Sequence, residues 1–318
     1  MPPGVFVLVL VVAVLHVAWN ALLKTSGDTL RTAERAMIVG VCVFALPVLI
    51  GWWVVGRPAL EAQTVALAVV SGILEAAYFV CLAEAYRRGD LSVVYPIARG
   101  TAPVLSVALG VSVLGERLAP TGVVGVAALL TGILLVQQPW RVVGAIRAHL
   151  IRGRGATGSP DLPTASLVGA AEFAILTGVM IAGYSAVDSV GARQAPIWLY
   201  AGVVFPVCAV ALVAWVRLVA RRSGPVASPG DPRGVVTGPA PWLRSGAAGT
   251  VSLGAYGLIL IAYTLAPLTA IAPLRESSVV IASAWGAIRM GEAVDARDRA
   301  RRLGGAGLVL IGAVLLAV

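Results

Sequence analysis

Charge is what this chain has least of. Asp, Glu, Lys and Arg make up 12% of its 318 residues, against about 25% in soluble domains. A soluble fold of this length has too much surface to cover with so few. Histidine occurs only at His16 and His149, and cysteine only at Cys42, Cys81 and Cys208. The cysteines fall singly in apolar stretches without metal spacing, which reads as small buried apolar residues and excludes a zinc site or a disulfide framework. There is no H-E-x-x-H, no paired catalytic aspartate, no serine with a histidine partner and no G-x-x-x-x-G-K-[ST]. The chain is therefore expected to be no enzyme, to need no cofactor or metal, and to draw no energy from ATP.

Apolar residues are what it has in quantity: 59% of the chain, with a mean hydropathy of +0.92. Ten apolar runs recur, at roughly 5–23, 36–56, 64–86, 91–113, 120–138, 167–189, 197–219, 244–265, 268–290 and 303–318, most of them the 18 or so residues that cross a bilayer. This predicts an all-α membrane protein of ten transmembrane helices, H1 to H10. The N-terminal "MPPGVFVLVL" lacks the basic region of a signal peptide, so H1 is expected to be retained.

The net charge of +9 would suggest nucleic acid in a soluble protein. Here the basic residues fall in connections, which excludes that partner and points to the positive-inside rule. Lys24, Arg31, Arg35, Arg87, Arg88, Arg141, Arg147, Arg152, Arg154, Arg221, Arg222, Arg233, Arg297, Arg299, Arg301 and Arg302 fall after odd-numbered spans. The even connections hold little beyond Arg57, Arg117 and Arg193. Odd connections belong in the cytoplasm of a bacterial-type plasma membrane, with both termini outside.

The chain also repeats itself. "ARGTAPVLSVALGVSVLGE" (98–116) matches "LRESSVVIASAWGAIRMGE" (274–292), pairing Arg99, Gly110, Gly115 and Glu116 with Arg275, Gly286, Gly291 and Glu292 at an offset of 176. At 177, Ala85, Tyr86, Leu91 and Pro96 meet Ala262, Tyr263, Leu268 and Pro273. Gly125, Ala127 and Gly132 of H5 fall on Gly305, Gly307 and Gly312 of H10. The expected organisation is one five-helix repeat over 1–138, a basic cytoplasmic linker over 139–166, and a second repeat over 167–318. Five is odd, so the second repeat crosses in the opposite sense, as in many secondary transporters.

A charge at the bilayer centre costs about 2.5–3.5 kcal/mol on insertion scales and faces the bundle interior or water. Arg99 and Arg275 lie deep in H4 and H9, each shortly after a proline, Pro96 or Pro273, that bends its helix. They would bracket the midplane. Arginine keeps its proton and its fork suits carboxylates and phosphates, so both are candidate substrate-binding residues, with Asn20, Trp19, Tyr95 and Tyr184 as further walls. Glu75, Glu276 and His16 are candidates for proton coupling. Permanent salt bridges, Arg99 with Glu75 and Arg275 with Glu276 or Glu172, are the structural alternative. Neighbouring positions point about 100° apart on a helix, so Arg275 and Glu276 are expected to serve different partners. Glu84, Glu172, Asp188 and Lys24 lie near span ends and read as interfacial. Small residues spaced by four on H5 and H10, such as Ala128 and Gly132, suit close packing or a homodimer contact.

Through "HVAWNALLK", "YPIARGTAPVLSVALGVSVLGE" and "APLRESSVVIASAWGAIRMGE", the chain resembles EamA-type members of the drug/metabolite transporter superfamily. The resemblance implies a secondary transporter with a central cavity lined by H1–H4 and H6–H9, often an exporter of amino acids or similar metabolites. Glu116 and Glu292, at helix ends, read as structural. The expected function is alternating-access transport of a small amino-acid-like or anionic metabolite. The alternative is a lipid-linked head-group flippase or a non-transporting assembly protein.

Overall fold

The computed structural model describes residues 2–24, 29–89, 91–138, 140, 144, 164–223, 239–276 and 296–317; at 16–24 and 91–93, among others, it describes the backbone alone. Among the described residues there is helix and no strand. The helices are α1 (Pro3–Lys24), α2 (Thr29–Val54), α3 (Ala62–Arg88), α4 (Leu91–Ser112), α5 (Pro120–Gln137), α6 (Thr164–Gly191), α7 (Ile197–Ser223), α8 (Pro239–Leu265) and α10 (Ala296–Ala317). Between the last two, α9 is helical over 268–276. These labels follow the order of the spans H1 to H10.

Helices α2 to α8 each contain a stretch long and apolar enough to cross a membrane. Helix is the form such stretches take in lipid, because it satisfies every backbone group within the segment. Leu46, Leu49, Trp53, Val123 and Leu310 point outward, as a lipid-facing surface requires. The helical backbone carries through Pro47, Pro96, Pro103 and Pro206.

Two expectations change. The helices extend past the apolar runs, so Arg31 and Arg35 sit on α2 and Arg297, Arg299, Arg301 and Arg302 on α10, where loops were expected. Charged turns continue a helix into water when they pair along it: Asp298 bonds both Arg301 and Arg302, the latter at 3.0 Å. Cys208 is buried as expected, but Cys42 is exposed on the outward face of α2, where a small apolar residue meets lipid without penalty.

The helices pack in a regular pattern. α3 lies on α6 and α7, α8 lies on α1 and α2, α2 meets α7, α4 meets α6, and α5 pairs with α10. Glycines set the closest approaches. A Cβ on Gly125 would fall 2.9 Å from the Gly312 carbonyl oxygen, and one on Gly132 would fall 2.6 Å from that of Gly305. The glycines that matched between H5 and H10 thus face one another across a single contact. At the 177 offset, Gly72 of α3 abuts the Val204 carbonyl of α7 and Gly249 of α8 abuts the backbone of Ala36 in α2.

Four connections meet at one end of the bundle. After α6, Gln194 accepts a hydrogen bond from Thr64 at the start of α3 (3.0 Å). Beside it, Arg193 donates to the carbonyls of Tyr263 (2.8 Å) and Ala266 (3.0 Å) where α8 ends. Glu116, between α4 and α5, accepts from the amides of Leu268 (2.7 Å) and Thr269 (2.8 Å) at the start of α9. Each charge has the sign its helix end prefers, anion at the N-terminus and cation at the C-terminus. Gly115 takes φ 64° to turn the chain, which glycine does at no steric cost. Gly110 is bare where a Cβ would lie 2.7 Å from the Glu116 carboxylate. Glu116 is thus structural as expected; Gly286, Gly291 and Glu292 lie outside the described residues.

Candidate functional site

The charges that looked out of place in the sequence converge. Arg99 comes from α4 and Arg275 and Glu276 from α9, and all three are buried. Nη1 of Arg99 donates to both carboxylate oxygens of Glu276, at 3.1 and 3.0 Å. Nε of Arg275 lies 3.4 Å from Oε1 of the same carboxylate. Glu276 therefore sits between two guanidinium groups 176 positions apart in the chain.

Of the two expected pairings, Arg275 with Glu276 is present and Arg99 with Glu75 is corrected. Arg99 meets Glu276, and Glu75 makes no salt bridge among the described residues. Glu172 is exposed and plays no part. Arg275 and Glu276, expected to serve different partners, pair with each other, because a long arginine stem can fold back to its neighbour. A buried pair of this kind is costly to break, since the remaining charge is left in a low-dielectric interior.

Beside the cluster is a small cavity of about 40 Å³ lined by Glu75, Tyr78, Phe79 and Arg99 from one half of the chain and by Tyr184, Ser252, Tyr256 and Arg275 from the other, among others. That volume holds a few water molecules. Tyr78, Tyr184, Tyr256 and Phe205 form a run of ring contacts with centroids 5.7–6.2 Å apart. Arg275 lies 6.0 Å from the Tyr184 ring and Arg99 5.9 Å from that of Tyr95, both within cation–π reach. The 177 offset relates Glu75 to Ser252 and Phe79 to Tyr256; all four line the cavity.

Of the expected site residues, Arg99, Arg275, Tyr184 and Glu75 line this cavity, Tyr95 stands against Arg99, and Glu276 joins the arginines. The side chains of His16, Trp19 and Asn20 lie outside the described residues. Glu75 is buried, and its Oε2 has no hydrogen-bond partner among the described residues. Asp188, read as interfacial, is fully buried and accepts hydrogen bonds from Tyr200 (2.8 Å) and Tyr256. Lying a few residues from the end of α6, it looked peripheral because span counting ignores the tyrosines of α7 and α8 that cover it. Among the described residues no group of His, Cys, Asp and Glu could hold a metal ion.

Residues 4–137 match the EamA-like transporter family. That match covers the N-terminal part of the chain, and with the seven helices long and apolar enough to cross a bilayer it supports a multi-pass membrane protein. One solved crystal structure, described only as that of a protein, is 19% identical and aligns over 99% of this chain and 96% of its own, with a TM-score of 0.64. At that identity the likeness is one of fold, and it extends through both halves. No curated protein matches the chain.

Proposed function

We propose that the chain is a secondary transporter of ten spans built as two inverted repeats, 1–138 and 167–318, joined by the cytoplasmic linker 139–166. One repeat rocks against the other about a midplane site. The packing supports this: exchanging the halves turns the α3–α6 contact into α8–α1 and α3–α7 into α8–α2, and leaves α5–α10 paired with itself. The four even connections gathered at one end support the alternation of spans. By the positive-inside rule that end faces outside, as do both termini, in a plasma membrane.

The observation that carries the reading is the convergence of Arg99 and Arg275 on one carboxylate at a cavity lined by equivalent positions. The guanidinium forks of Arg99 and Arg275 suit a carboxylate or phosphate, so the substrate is a small metabolite with such a group, amino-acid-like in the leading case, and the direction is export. Tyr95, Tyr184, Trp19 and Asn20 complete the binding surface. The carboxyl without a hydrogen bond on one oxygen, Glu75, carries the coupling proton. Glu276, held between arginines, balances their charge, and it and His16 are the further coupling candidates. The flippase reading shares the arginines but needs an opening to lipid beside them.

A thermal-shift screen of detergent-solubilised protein against amino acids, organic acids, phosphonates and phosphate esters tests the assignment. A compound that stabilises wild type and leaves Arg99→Ala unmoved names the ligand class and places Arg99 in the site. If no compound stabilises wild type and lipid phosphates do, the flippase reading takes over.

A further inference from the structure

Asp188 belongs to none of the roles above, yet a carboxylate buried this deep needs a reason. It is 0% exposed, and burying a carboxylate is costly unless hydrogen bonds replace the lost water. Two hydroxyls supply them. Tyr200 of α7 donates to Oδ1 at 2.8 Å, and Tyr256 of α8 donates to Oδ2. Asp188 on α6 thus joins three helices through one side chain.

The two tyrosines differ in what else they do. Tyr200 is fully buried and stands outside the cavity wall. It lies against Gly191, where a Cβ would fall 2.5 Å from its hydroxyl. Tyr256 lines the cavity, with its ring edge-on to Tyr184 at 5.7 Å and tilted against Phe205 at 6.1 Å. It is therefore a wall residue tied to a carboxylate that does not itself line the cavity.

The other half of the chain shows what the tie adds. Phe79 stands 177 positions before Tyr256 and lines the same cavity, its ring tilted against Tyr78 at 4.8 Å. Phe79 fills the equivalent place by packing alone, so an aromatic wall there needs no hydroxyl. A ring held by packing can turn about its side-chain torsions. A ring bonded through its hydroxyl to a buried carboxylate cannot swing away without leaving that carboxylate short of a donor, which is costly.

We propose that Asp188 is a positioning residue of the substrate site: it fixes Tyr256 as an unyielding wall, and that wall limits the length of substrate side chain the site accepts. Asp188 touches no substrate and acts through Tyr256. The inference rests on the amino-acid-like substrate proposed above. The arginines hold its carboxylate, and its side chain extends toward the aromatic wall of Tyr78, Phe79, Tyr184 and Tyr256.

The probes are straight-chain 2-amino acids that lengthen one methylene at a time, from alanine to 2-aminooctanoate. Titration calorimetry of the purified full-length protein in detergent measures the binding of each. Wild type is expected to bind the series up to one length and to lose about tenfold or more in affinity at the next, the cost of a methylene that a pocket cannot place. Tyr256→Phe keeps the ring and removes the tie, so its cut-off should move to a longer member while alanine binds as in wild type. Asp188→Ala should move the cut-off the same way, and Tyr256→Phe decides alone if that variant does not fold. Tyr200→Phe removes the other bond to the same carboxylate and should lower the thermal midpoint with the cut-off unmoved. A wild type without a cut-off, a cut-off unmoved in Tyr256→Phe, or one moved equally in Tyr200→Phe would make Asp188 a structural tie only. Any of these overturns the inference and leaves the substrate reading in place. If wild type binds no member of the series, the amino-acid reading fails and the inference fails with it.

Discussion

Glu276 stands between Arg99 and Arg275, 3.0 Å from the first and 3.4 Å from the second. The bond to Arg99 joins α4 to α9 across 177 residues. The two arginines occupy matching positions in the two halves, and each depends on a carboxylate that only the second half supplies. That asymmetry gives the three residues different expected phenotypes.

Glu276→Gln leaves two buried guanidinium groups without their shared anion. Breaking a buried pair by removing one partner costs about 3–5 kcal/mol, so this variant is expected to unfold well below wild type in detergent. Thermal unfolding of Glu276→Gln beside Arg99→Ala measures it. An unchanged midpoint would mean that other groups already balance the arginines.

Glu116→Ala removes the acceptor for two amides at the start of α9. Losing such a cap costs about 1–2 kcal/mol, and the variant should melt earlier while keeping ligand selectivity. A change in selectivity at unchanged stability would move Glu116 from the scaffold to the site.

Gly312→Val puts a side chain where a Cβ already falls 2.5 Å from the Gly125 carbonyl oxygen. Overpacking of this kind costs about 1–3 kcal/mol. Because α10 pairs with α5 at a distance from the cavity, the substitution should lower the thermal midpoint and leave ligand-induced stabilisation intact. Wild-type stability would show that α5 and α10 separate without penalty.

Glu75→Gln keeps the size of the side chain and removes its proton. Transport of any compound identified by the thermal screen should continue in counterflow and lose its dependence on an imposed pH gradient. Retention of that dependence would take Glu75 out of the coupling role.

Much of this was legible in the sequence because membrane energetics leave marks there. Arg99 and Arg275 stood out because charge is rare among apolar residues, and the Gly110, Gly115 and Glu116 pattern because it recurs. What stayed hidden depends on three-dimensional proximity. Nothing linear places Glu276 on Arg99, or aims Arg193 at the carbonyls of Tyr263 and Ala266. Asp188 was misread because depth was counted from a span boundary, while its burial comes from tyrosines on two other helices. The extra turns of α2 and α10 escaped notice because hydropathy ends where the apolar run ends, whereas the helix ends where its backbone bonding does.

The central claim, a midplane cavity that opens alternately to each face, is tested most directly by one cysteine. With Cys42, Cys81 and Cys208 replaced by alanine, Ser252→Cys places a thiol on the cavity wall. Its reaction with a membrane-impermeant maleimide is then followed from each side, in intact cells and in inside-out vesicles. The account predicts labelling from both faces, with each rate changing in opposite directions when a ligand is added. A folded protein whose cysteine reacts from neither face would have a sealed core, and the transporter account would be wrong.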